Sequence, residues 1–433
     1  MRNDAIADYP RELYFNDSSR RCEHLTFRGN IRNGRHGWLR LTPAFSLHVV
    51  QEVLKNSSKS DLILDPFSGT GTTPLASAAL GIPAHAVDIN PFLVWFGNVK
   101  VARYDNVIAE AVRVEAKHIV NNIRLQKQPD NYWQPDLHQI EKWWDSNVLK
   151  ALSHLFSCIE RAGQRQNSTI VDLLKIAFCR TLIEAANVSF GHQSMSFKKF
   201  IPSNQSSLLD DEQYFDSYES VLARFSSVAN EISQSLISDQ PMALAKIYHG
   251  DSRDLAKVLP ERCYTKVVTS PPYPNRMSYI RELRPYMYWL GFLTNGRQAG
   301  ELDWAAIGGT WGCATSNLGS WQPDPLQNIP YPKFDRIVDD IKQQNQLLGQ
   351  YIHKYFQDIK LHLHSLRQVI TRNGQCYYIV GNSKFYGTLL PVEEIYVALF
   401  HDSGFKNIQV RRLRKRNSKK ELYEYVVYAE SAK

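Results

Sequence analysis

The sequence predicts an α/β fold in which a doubly wound sheet is interrupted by a large helical insertion. Residues 61–66 (DLILDP) form a short apolar run that ends in an acid and a proline, which is typical of a buried strand. A glycine-rich turn and an alanine-rich helical segment follow, and the pattern AHAVDIN at 84–90 predicts a second strand. This order of elements is the start of a doubly wound domain. From about 101 to 242, apolar residues instead recur at three- and four-residue steps, which indicates helices.

The segments after the insertion return to the α/β pattern. Strands are predicted within 243–255 and 265–273. A stretch rich in Gly, Trp and Pro, from about 285 to 335, is predicted to be irregular. The chain then closes with a long helix at 335–372, a strand at 375–382, a helix at 391–404 and two strands at 406–414 and 422–429.

The composition is that of an ordinary globular protein. The chain has 433 residues, of which 43% are hydrophobic and 22% charged, so it can bury a large core. No apolar run approaches the roughly 18–20 residues of a membrane span, and the first ten residues lack the apolar core of a signal peptide. The six cysteines form no CxxC pair, which argues against a zinc site. We therefore expect a cytoplasmic protein with no membrane association and no bound metal.

Positive charge is concentrated near the end of the chain. Residues 411–420 (RRLRKRNSKK) hold seven basic residues and no acid, whereas the net charge of the whole chain is +8. This basic run falls at the turn between the last two predicted strands. A polyanion partner and a solvated hairpin end are both consistent with it.

The first motif, Asp65–Thr73 (DPFSGTGTT), follows the first predicted strand. Its two glycines let the backbone approach a ligand closely, because a Cβ atom there would clash. Asp88 lies about 20 residues further on, at the spacing that suits the hydroxyls of a ribose. Pro74 stands where a dinucleotide site carries its third glycine, so an adenosine ligand without phosphates fits better than a nicotinamide cofactor. The alternative is a plain tight turn between a strand and a helix.

The second motif is Thr269–Tyr273 (TSPPY), directly after the apolar strand pattern KVV. Its two prolines stiffen the turn and fix the directions of the carbonyl groups. The ring of Tyr273 offers a flat face to a nucleic-acid base. An exposed polyproline segment is the alternative, and it is disfavoured because a buried strand leads into the motif.

Together the two motifs resemble those of the amino-methyltransferases that use S-adenosylmethionine (AdoMet) to methylate exocyclic amines of DNA bases. The resemblance covers the α/β parts of the chain and leaves out the helical insertion. It implies a Rossmann-like AdoMet-methyltransferase domain with a mixed seven-stranded sheet. The predicted division is a basic N-terminal segment (1–40), a catalytic domain (41–100, 243–283 and 335–433), a helical insertion (101–242) and an irregular insertion (284–334). Either insertion is a candidate for target recognition.

The resemblance also implies the roles of individual residues. The four residues of the tetrad, Ser270, Pro271, Pro272 and Tyr273, would be catalytic. The predicted AdoMet-binding residues are Thr42, Pro43, Asp65, Phe67, Ser68, Gly69, Thr70, Gly71, Thr72, Asp88 and Asp251. Of the three acids, Asp65 would face the methionine amine, Asp88 the ribose and Asp251 the adenine amine. The predicted nucleic-acid contacts are Arg276, Arg281, Arg414, Lys415 and Arg416.

The chemistry expected of the tetrad follows from the methyl acceptor. An exocyclic amine of a base is a poor nucleophile because its lone pair is delocalised into the ring. The Ser270 hydroxyl and the Pro271 carbonyl can accept its N–H groups and favour a more pyramidal nitrogen. Tyr273 can stack on the base after it has been flipped from the duplex. Methylation of cytosine carbon 5 is disfavoured. The methyltransferases that act on carbon 5 use the cysteine of a Pro-Cys pair as nucleophile, and no cysteine of this chain follows a proline.

The first residue of the tetrad bears on the base. Family members with Ser at this position mostly methylate cytosine N4, whereas those with Asp or Asn mostly methylate adenine N6. The sequence therefore predicts a cytosine-N4 DNA methyltransferase of a restriction–modification or defence type. Double-stranded DNA would be its partner, with a possible cognate restriction endonuclease encoded separately. The alternatives are adenine-N6 methylation of DNA, methylation of an RNA amine, and a non-catalytic nucleic-acid-binding subunit.

Overall fold

A computed structural model describes residues 25, 28–31, 33–39, 45–126, 132–189, 196–198, 218–275, 278–309, 313–416 and 421–432. Three predicted contact residues, Thr42, Pro43 and Arg276, lie outside these ranges. No helix within the described ranges is long and apolar enough to cross a membrane.

A mixed seven-stranded sheet forms the centre of the catalytic domain. In chain order the strands are β1 Ile63–Asp65, β2 Ala84–Asp88, β3 Val188–Ser189, β4 Ser196–Phe197, β5 Ala245–His249, β6 Tyr264–Thr269, β7 Ile370–Gly381, β8 Ser383–Phe385, β9 Thr388–Leu390, β10 Phe405–Lys415 and β11 Tyr423–Ser431. The order in the large sheet is β10-β11-β7-β6-β1-β2-β5, and β3–β4 and β8–β9 are small hairpins. Five neighbouring strands of this sheet are parallel, in the order β5, β2, β1, β6 and β7. Strand β11 is antiparallel to both of its neighbours, β7 and β10. The predicted fold class is therefore confirmed.

Helices cover both faces of the sheet and form the insertion. In chain order they are α1 Arg28–Ile31, α2 Leu47–Leu54, α3 Thr72–Ala79, α4 Pro91–Val101, α5 Asn106–Leu125, α6 Ile140–Trp143, α7 Ser146–Ala162, α8 Ser168–Glu184, α9 Tyr218–Ser238, α10 Leu255–Val258, α11 Tyr279–Trp289, α12 Gly296–Ala305, α13 Cys313–Ser320, α14 Phe334–Gln344, α15 Gln346–Val369 and α16 Val392–Asp402. Leu64 of β1 joins the core beneath α15 and α16, while its neighbour Ile63 joins the core beneath α2. The alternation follows from the two-residue period of a strand.

Two of the predicted elements are wrong. The stretch from 285 to 335, predicted to be irregular, contains the C-terminal part of α11 and the whole of α12 and α13. Side-chain caps explain two of these helices, because Ser278 and Asn295 accept backbone N–H groups at the starts of α11 and α12. The long helix predicted at 335–372 is broken at Asn345, whose side chain caps the N-terminus of α15. An Asn side chain competes with the helical backbone in this way.

The strand ends that carry the two motifs meet at one edge of the sheet. Asp65 ends β1, Asp88 ends β2, and Thr269 ends β6 directly before the tetrad. Because these strands are parallel neighbours, their carboxyl ends share an edge. The chain runs outward from β1 through β2 to β5 and then crosses back to β6 on the other side of β1, and such a switch point is where ligands bind in doubly wound folds.

A buried arginine near the N-terminus joins the insertion to the catalytic domain. The Arg35 side chain, fully buried, donates to the carbonyls of Lys100 and Ala102 after α4 at 3.2 and 2.6 Å. It also donates to Ser235 and Leu236 near the end of α9 at 3.4 and 2.7 Å. One guanidinium thus satisfies carbonyl groups at the C-terminal ends of two helices, where a cation is favoured.

Replacement of Arg35 by Met is expected to lower the free energy of unfolding by about 2–4 kcal/mol, because several buried carbonyls would lose a charged donor. The matched control is Arg113→Met, since Arg113 pairs with Glu110 on the exposed face of α5. Such surface pairs contribute little to stability. Urea unfolding followed by circular dichroism measures both variants, and equal stabilities would contradict the role of Arg35.

Candidate active site

The glycine loop joins β1 to α3 in a left-handed backbone conformation. Gly69 and Gly71 have φ angles of +49° and +72°, values that favour glycine over any residue with a Cβ atom. The Gly69 N–H donates to the Asp88 carboxylate at 2.8 Å, which ties the loop to the end of β2. The hydroxyls of Thr70 and Thr72 lie 3.1 Å apart beneath the loop. The predicted loop residues are therefore in one compact turn.

Asp65 is buried at the base of this loop, and only one of its two carboxylate oxygens is hydrogen-bonded to other described residues. Its Oδ1 accepts from the Thr269 hydroxyl at 2.6 Å and from the Phe67 N–H at 3.1 Å. Its Oδ2 is buried and has no hydrogen-bond partner among the described residues. Burial raises the pKa of Asp65 to about 6, although the hydrogen bonds from Thr269 and Phe67 act in the opposite direction. A carboxylate oxygen in this state suits a cationic ligand group.

Asp88 holds two backbone groups in place at the end of β2. Its two oxygens accept the N–H groups of Gly69 and Asn90, at 2.8 and 2.9 Å. Burial raises the pKa of Asp88 to about 7, against the effect of these hydrogen bonds. Each carboxylate oxygen has more than one lone pair, so the group can also accept hydroxyl donors of a ligand.

Two threonine hydroxyls connect the glycine loop to the strand that carries the tetrad. Thr269 donates to Asp65, and Thr73 of α3 donates to the Val268 carbonyl of β6 at 3.1 Å. Both threonines are fully buried. Neither threonine was predicted to be a site residue, although Thr73 and Thr269 each lie within one of the two motifs. The bonds place the two motifs side by side.

The tetrad is a rigid turn with its donors already engaged. The Ser270 hydroxyl donates to the Ile379 carbonyl of β7 at 3.2 Å and lies 3.4 Å from the Tyr273 hydroxyl. The Pro272 carbonyl accepts from the Tyr355 hydroxyl of α15 at 2.7 Å. The Ser270 hydroxyl has one proton to donate to these two oxygens, and its own oxygen keeps lone pairs with which to accept a hydrogen bond.

The Tyr273 ring is packed against the end of β7. A Cβ atom added to Gly381 would lie 3.0 Å from Cε2 and 3.1 Å from Cδ2 of Tyr273, so only glycine leaves room for the ring. Burial raises the pKa of the Tyr273 hydroxyl well above its ordinary value, which keeps it protonated. The sequence analysis did not identify Gly381, because nothing near 381 repeats either motif.

Asp251, Phe67 and a histidine form a third part of the site. The Asp251 carboxylate pairs with Arg253 at 2.6 Å, and Arg253 also pairs with Asp358 of α15 at 2.7 Å. Burial would raise the pKa of Asp251, but hydrogen bonds from Arg253 lower it below its ordinary value. The Phe67 ring meets the buried His362 ring edge-on at 4.7 Å between centroids.

A second residue missed at the sequence level is Lys100 of α4. Its ammonium is fully buried and donates to the Thr70 carbonyl of the glycine loop at 2.7 Å. Burial lowers the pKa of Lys100 to about 7. An apolar helix pattern around position 100 gives no signal for this contact, which depends on how α4 packs beneath the loop.

The predicted nucleic-acid contacts have different surroundings. Arg281 is exposed on α11. Arg414 forms a two-pronged ion pair with Glu424 of the neighbouring strand, at 2.6 and 2.8 Å. The Lys415 ammonium lies 5.9 Å from the centroid of the Tyr423 ring. Arg416 donates to the Asn382 carbonyl at 2.9 Å beside the tetrad. Among the described residues, no cluster of three or more His, Cys, Asp or Glu side chains could hold a metal ion.

Known proteins similar to this chain are type II methyltransferases. M.BsoBI of Geobacillus stearothermophilus is 20% identical over 93% of this chain and 85% of its own length. M.AvaI of Nostoc sp. is 22% identical over 91% of this chain and 85% of its own length. M.MvaI of Kocuria varians is 18% identical over 82% of this chain and 79% of its own length. This chain is a homologue of type II methyltransferases.

The relationship is distant but extends along most of the chain. No family model matches the sequence. Among solved structures, the rRNA methyltransferase aviRa of Streptomyces viridochromogenes aligns with 93% of this chain and 92% of its own, at 11% identity and a TM-score of 0.32. That likeness is too weak to support a conclusion. The methyl donor is AdoMet, as the resemblance of the two motifs implied.

The residues of the loop fit this donor. AdoMet carries an ammonium group, two ribose hydroxyls and an adenine ring. The unpartnered buried oxygen of Asp65 suits the ammonium, and the remaining lone pairs of Asp88 suit the hydroxyls. The left-handed glycines remove side chains from the face of the loop.

Proposed function

We propose that this chain transfers a methyl group from AdoMet to an exocyclic amine in double-stranded DNA, and that the preferred acceptor is cytosine N4. The observation that carries the proposal is the bond between the two motifs, in which Thr269, directly before the tetrad, donates to Asp65 of the glycine loop. A cofactor site and an amine-binding turn that share one hydrogen bond can bring a methyl donor and an amine together. The serine at position 270 favours cytosine, following the resemblance described above.

The residues of the tetrad would act by accepting hydrogen bonds and by stacking. When bound, AdoMet supplies an activated methyl group on its sulfonium sulfur. The Ser270 oxygen would accept one N–H of the target amine. The Pro271 carbonyl would accept the other N–H and would draw the nitrogen toward a pyramidal geometry. Tyr273 would stack on the flipped base, and no covalent intermediate is required.

The basic hairpin supports duplex DNA as the substrate. Strand β10 ends at Lys415, which pairs with Tyr423, and the next residue of β11, Glu424, pairs with Gly381 at the carboxyl end of β7, the edge of the sheet that carries the tetrad. Of the predicted contacts there, Arg414 and Lys415 would contact phosphates without regard to sequence. Target reading would fall to the helical insertion (101–242) or to the insertion at 284–334, and a cognate restriction endonuclease would be a separate chain.

The substrate class is tested by supplying AdoMet labelled in its methyl group together with either unmethylated duplex DNA or total RNA. Label is expected in DNA and not in RNA, and Ser270→Ala is the control that should transfer none. Label in RNA alone would select the RNA methyltransferase instead. A chain that fails to bind AdoMet in calorimetry would be the non-catalytic subunit.

The affinity for AdoMet is expected to fall as the pH is lowered from 7.5 to 5. Asp65 and Asp88 would bind as carboxylates, and their raised pKa values of about 6 and 7 mean that both gain protons across this range. Thr269→Val removes a donor that lowers the pKa of Asp65, so the loss of affinity should begin at a higher pH. Thr269→Ser should restore the original profile.

Calorimetric titration of AdoMet at several pH values measures this effect. The matched control is Thr371→Val, because the Thr371 hydroxyl donates to the Tyr264 carbonyl rather than to an acid. An affinity that stays constant between pH 5 and 7.5, or a profile that Thr269→Val does not move, would contradict the assigned roles of the two acids.

A further inference from the structure

Arg416, at the end of β10, lies against the tetrad tyrosine. Its guanidinium carbon is 5.2 Å from the centroid of the Tyr273 ring. Its Nη1 donates to the Asn382 carbonyl at 2.9 Å. A Cβ atom added to Gly381 would lie 2.6 Å from that same Nη1 and 3.0 Å from the Tyr273 ring. Guanidinium, ring and glycine backbone are therefore in one close-packed group.

The backbone around Arg416 is fixed to the end of β7. The Arg416 N–H donates to the Leu422 carbonyl at 2.7 Å across the terminal hairpin. Asn382, which follows β7, accepts the Tyr423 N–H at 2.8 Å through its side-chain oxygen. The hairpin end and the strand end beside the tetrad are thus bonded to each other, which holds the Arg416 backbone beside the tetrad, and the bond from Nη1 to the Asn382 carbonyl holds the guanidinium.

Arg416, which directly follows β10, differs in its contacts from Arg412 and Arg414 within that strand. Arg414 is paired with the Glu424 carboxylate, and the guanidinium of Arg412 lies 4.9 Å from the centroid of the Tyr423 ring. Tyr423 belongs to β11 and is not part of the tetrad. The contacts of Arg416 with Asn382 and Tyr273 are instead with a neutral carbonyl and a catalytic ring.

We propose that Arg416 is a positioning residue for Tyr273 rather than a phosphate contact, an inference that rests on the proposed methyl transfer to DNA. The guanidinium lies over the ring and holds it against Gly381. A ring fixed at this angle presents a defined surface to the flipped base. The basic run predicted from the sequence to bind phosphates therefore contains one residue that serves the chemical step.

The test compares Arg416→Ala and Arg416→Lys with the unsubstituted chain and with Arg412→Ala. Arg412→Ala is the matched control, because it removes the same kind of stacked arginine from the same strand but from Tyr423. We expect Arg416→Ala to lower kcat for labelled methyl transfer to duplex DNA by about tenfold, a cation–π contact being of that order. Arg416→Lys should not restore kcat, because an ammonium lacks the planar face. Arg412→Ala should keep the original kcat.

The salt dependence of DNA binding distinguishes a phosphate contact of Arg416 from a role in positioning Tyr273. Loss of one phosphate contact reduces the slope of log affinity against log salt by about 0.9. We expect the slope and the AdoMet affinity to be unchanged in Arg416→Ala. An unchanged kcat together with a reduced slope would overturn the proposal and return Arg416 to the phosphate contacts.

Two further outcomes are informative. If Arg416→Ala does not fold, Gly381→Ala tests the same group, because its Cβ would displace Nη1 of Arg416 from the ring, and it should lower kcat without a change of slope. An unchanged kcat in Gly381→Ala would overturn the proposal. Absence of label in DNA with the unsubstituted chain would refute the proposed function and the inference with it, whereas equal rates in Arg416→Ala and the unsubstituted chain would refute only the inference.

Discussion

Replacement of Ser270 by Ala is expected to lower the rate of methyl transfer by about 100-fold or more while AdoMet affinity changes less than about twofold, because a lost acceptor weakens only the transition state. The Ser270 hydroxyl is hydrogen-bonded to Ile379 and Tyr273 and, within the described part of the chain, to no residue of the glycine loop, so the cofactor site should remain intact. Tyr273→Ala is expected to behave similarly, since it removes the surface on which the base stacks.

Single-turnover rates with labelled AdoMet and calorimetric AdoMet binding measure the two effects separately. Ser60→Ala is a suitable control, because Ser60 is an exposed loop residue whose hydrogen bonds within the described ranges are with Ser58. A Ser270→Ala variant that transfers methyl groups at the original rate would show that the Ser270 hydroxyl takes no part in methyl transfer. A variant that loses AdoMet binding as well would place Ser270 in the cofactor site instead.

Replacement of Gly69 by Val is expected to weaken AdoMet binding by at least about 100-fold, because a β-branched residue is strained at positive φ and would add a side chain to the loop. Gly69 has φ of +49° and its N–H holds Asp88, so a displaced backbone would disturb the ribose contact as well. Methyl transfer should be lost with the cofactor.

The matched control for Gly69→Val is Gly387→Val. Gly387 has φ of +92° in the turn between β8 and β9, and its Cβ position is in open space. Both variants therefore carry the same kind of backbone strain, and only one carries it in the cofactor loop. Equal AdoMet affinities in calorimetry would contradict the assignment of the loop, provided that thermal unfolding shows both variants to be folded.

The local features of the site were predictable from the sequence because they are written in contiguous residues. The strand before Asp65, the two glycines, the acid at the end of β2 and the tetrad after β6 all lie where their patterns indicated. Parallel strands then bring these ends together without further information, since neighbouring carboxyl ends share an edge of the sheet.

The contacts that were not predicted join residues far apart in the chain. Thr269 meets Asp65 across 204 positions, and Tyr355 meets the Pro272 carbonyl across 83. Neither contact leaves a periodic pattern or a motif in the sequence, so each contact becomes visible only in the folded structure. The break at Asn345 has another cause, because a single capping side chain ended a helix that the apolar pattern continued.

The central claim is that the chain methylates an exocyclic amine of DNA. The most direct measurement is mass spectrometry of nucleosides from the DNA of a host without DNA methylation that expresses the chain, with Ser270→Ala as the control. The account predicts N4-methylcytosine with the unsubstituted chain and none with Ser270→Ala. N6-methyladenine would contradict the choice of base, and DNA without either modified nucleoside would contradict the claim itself.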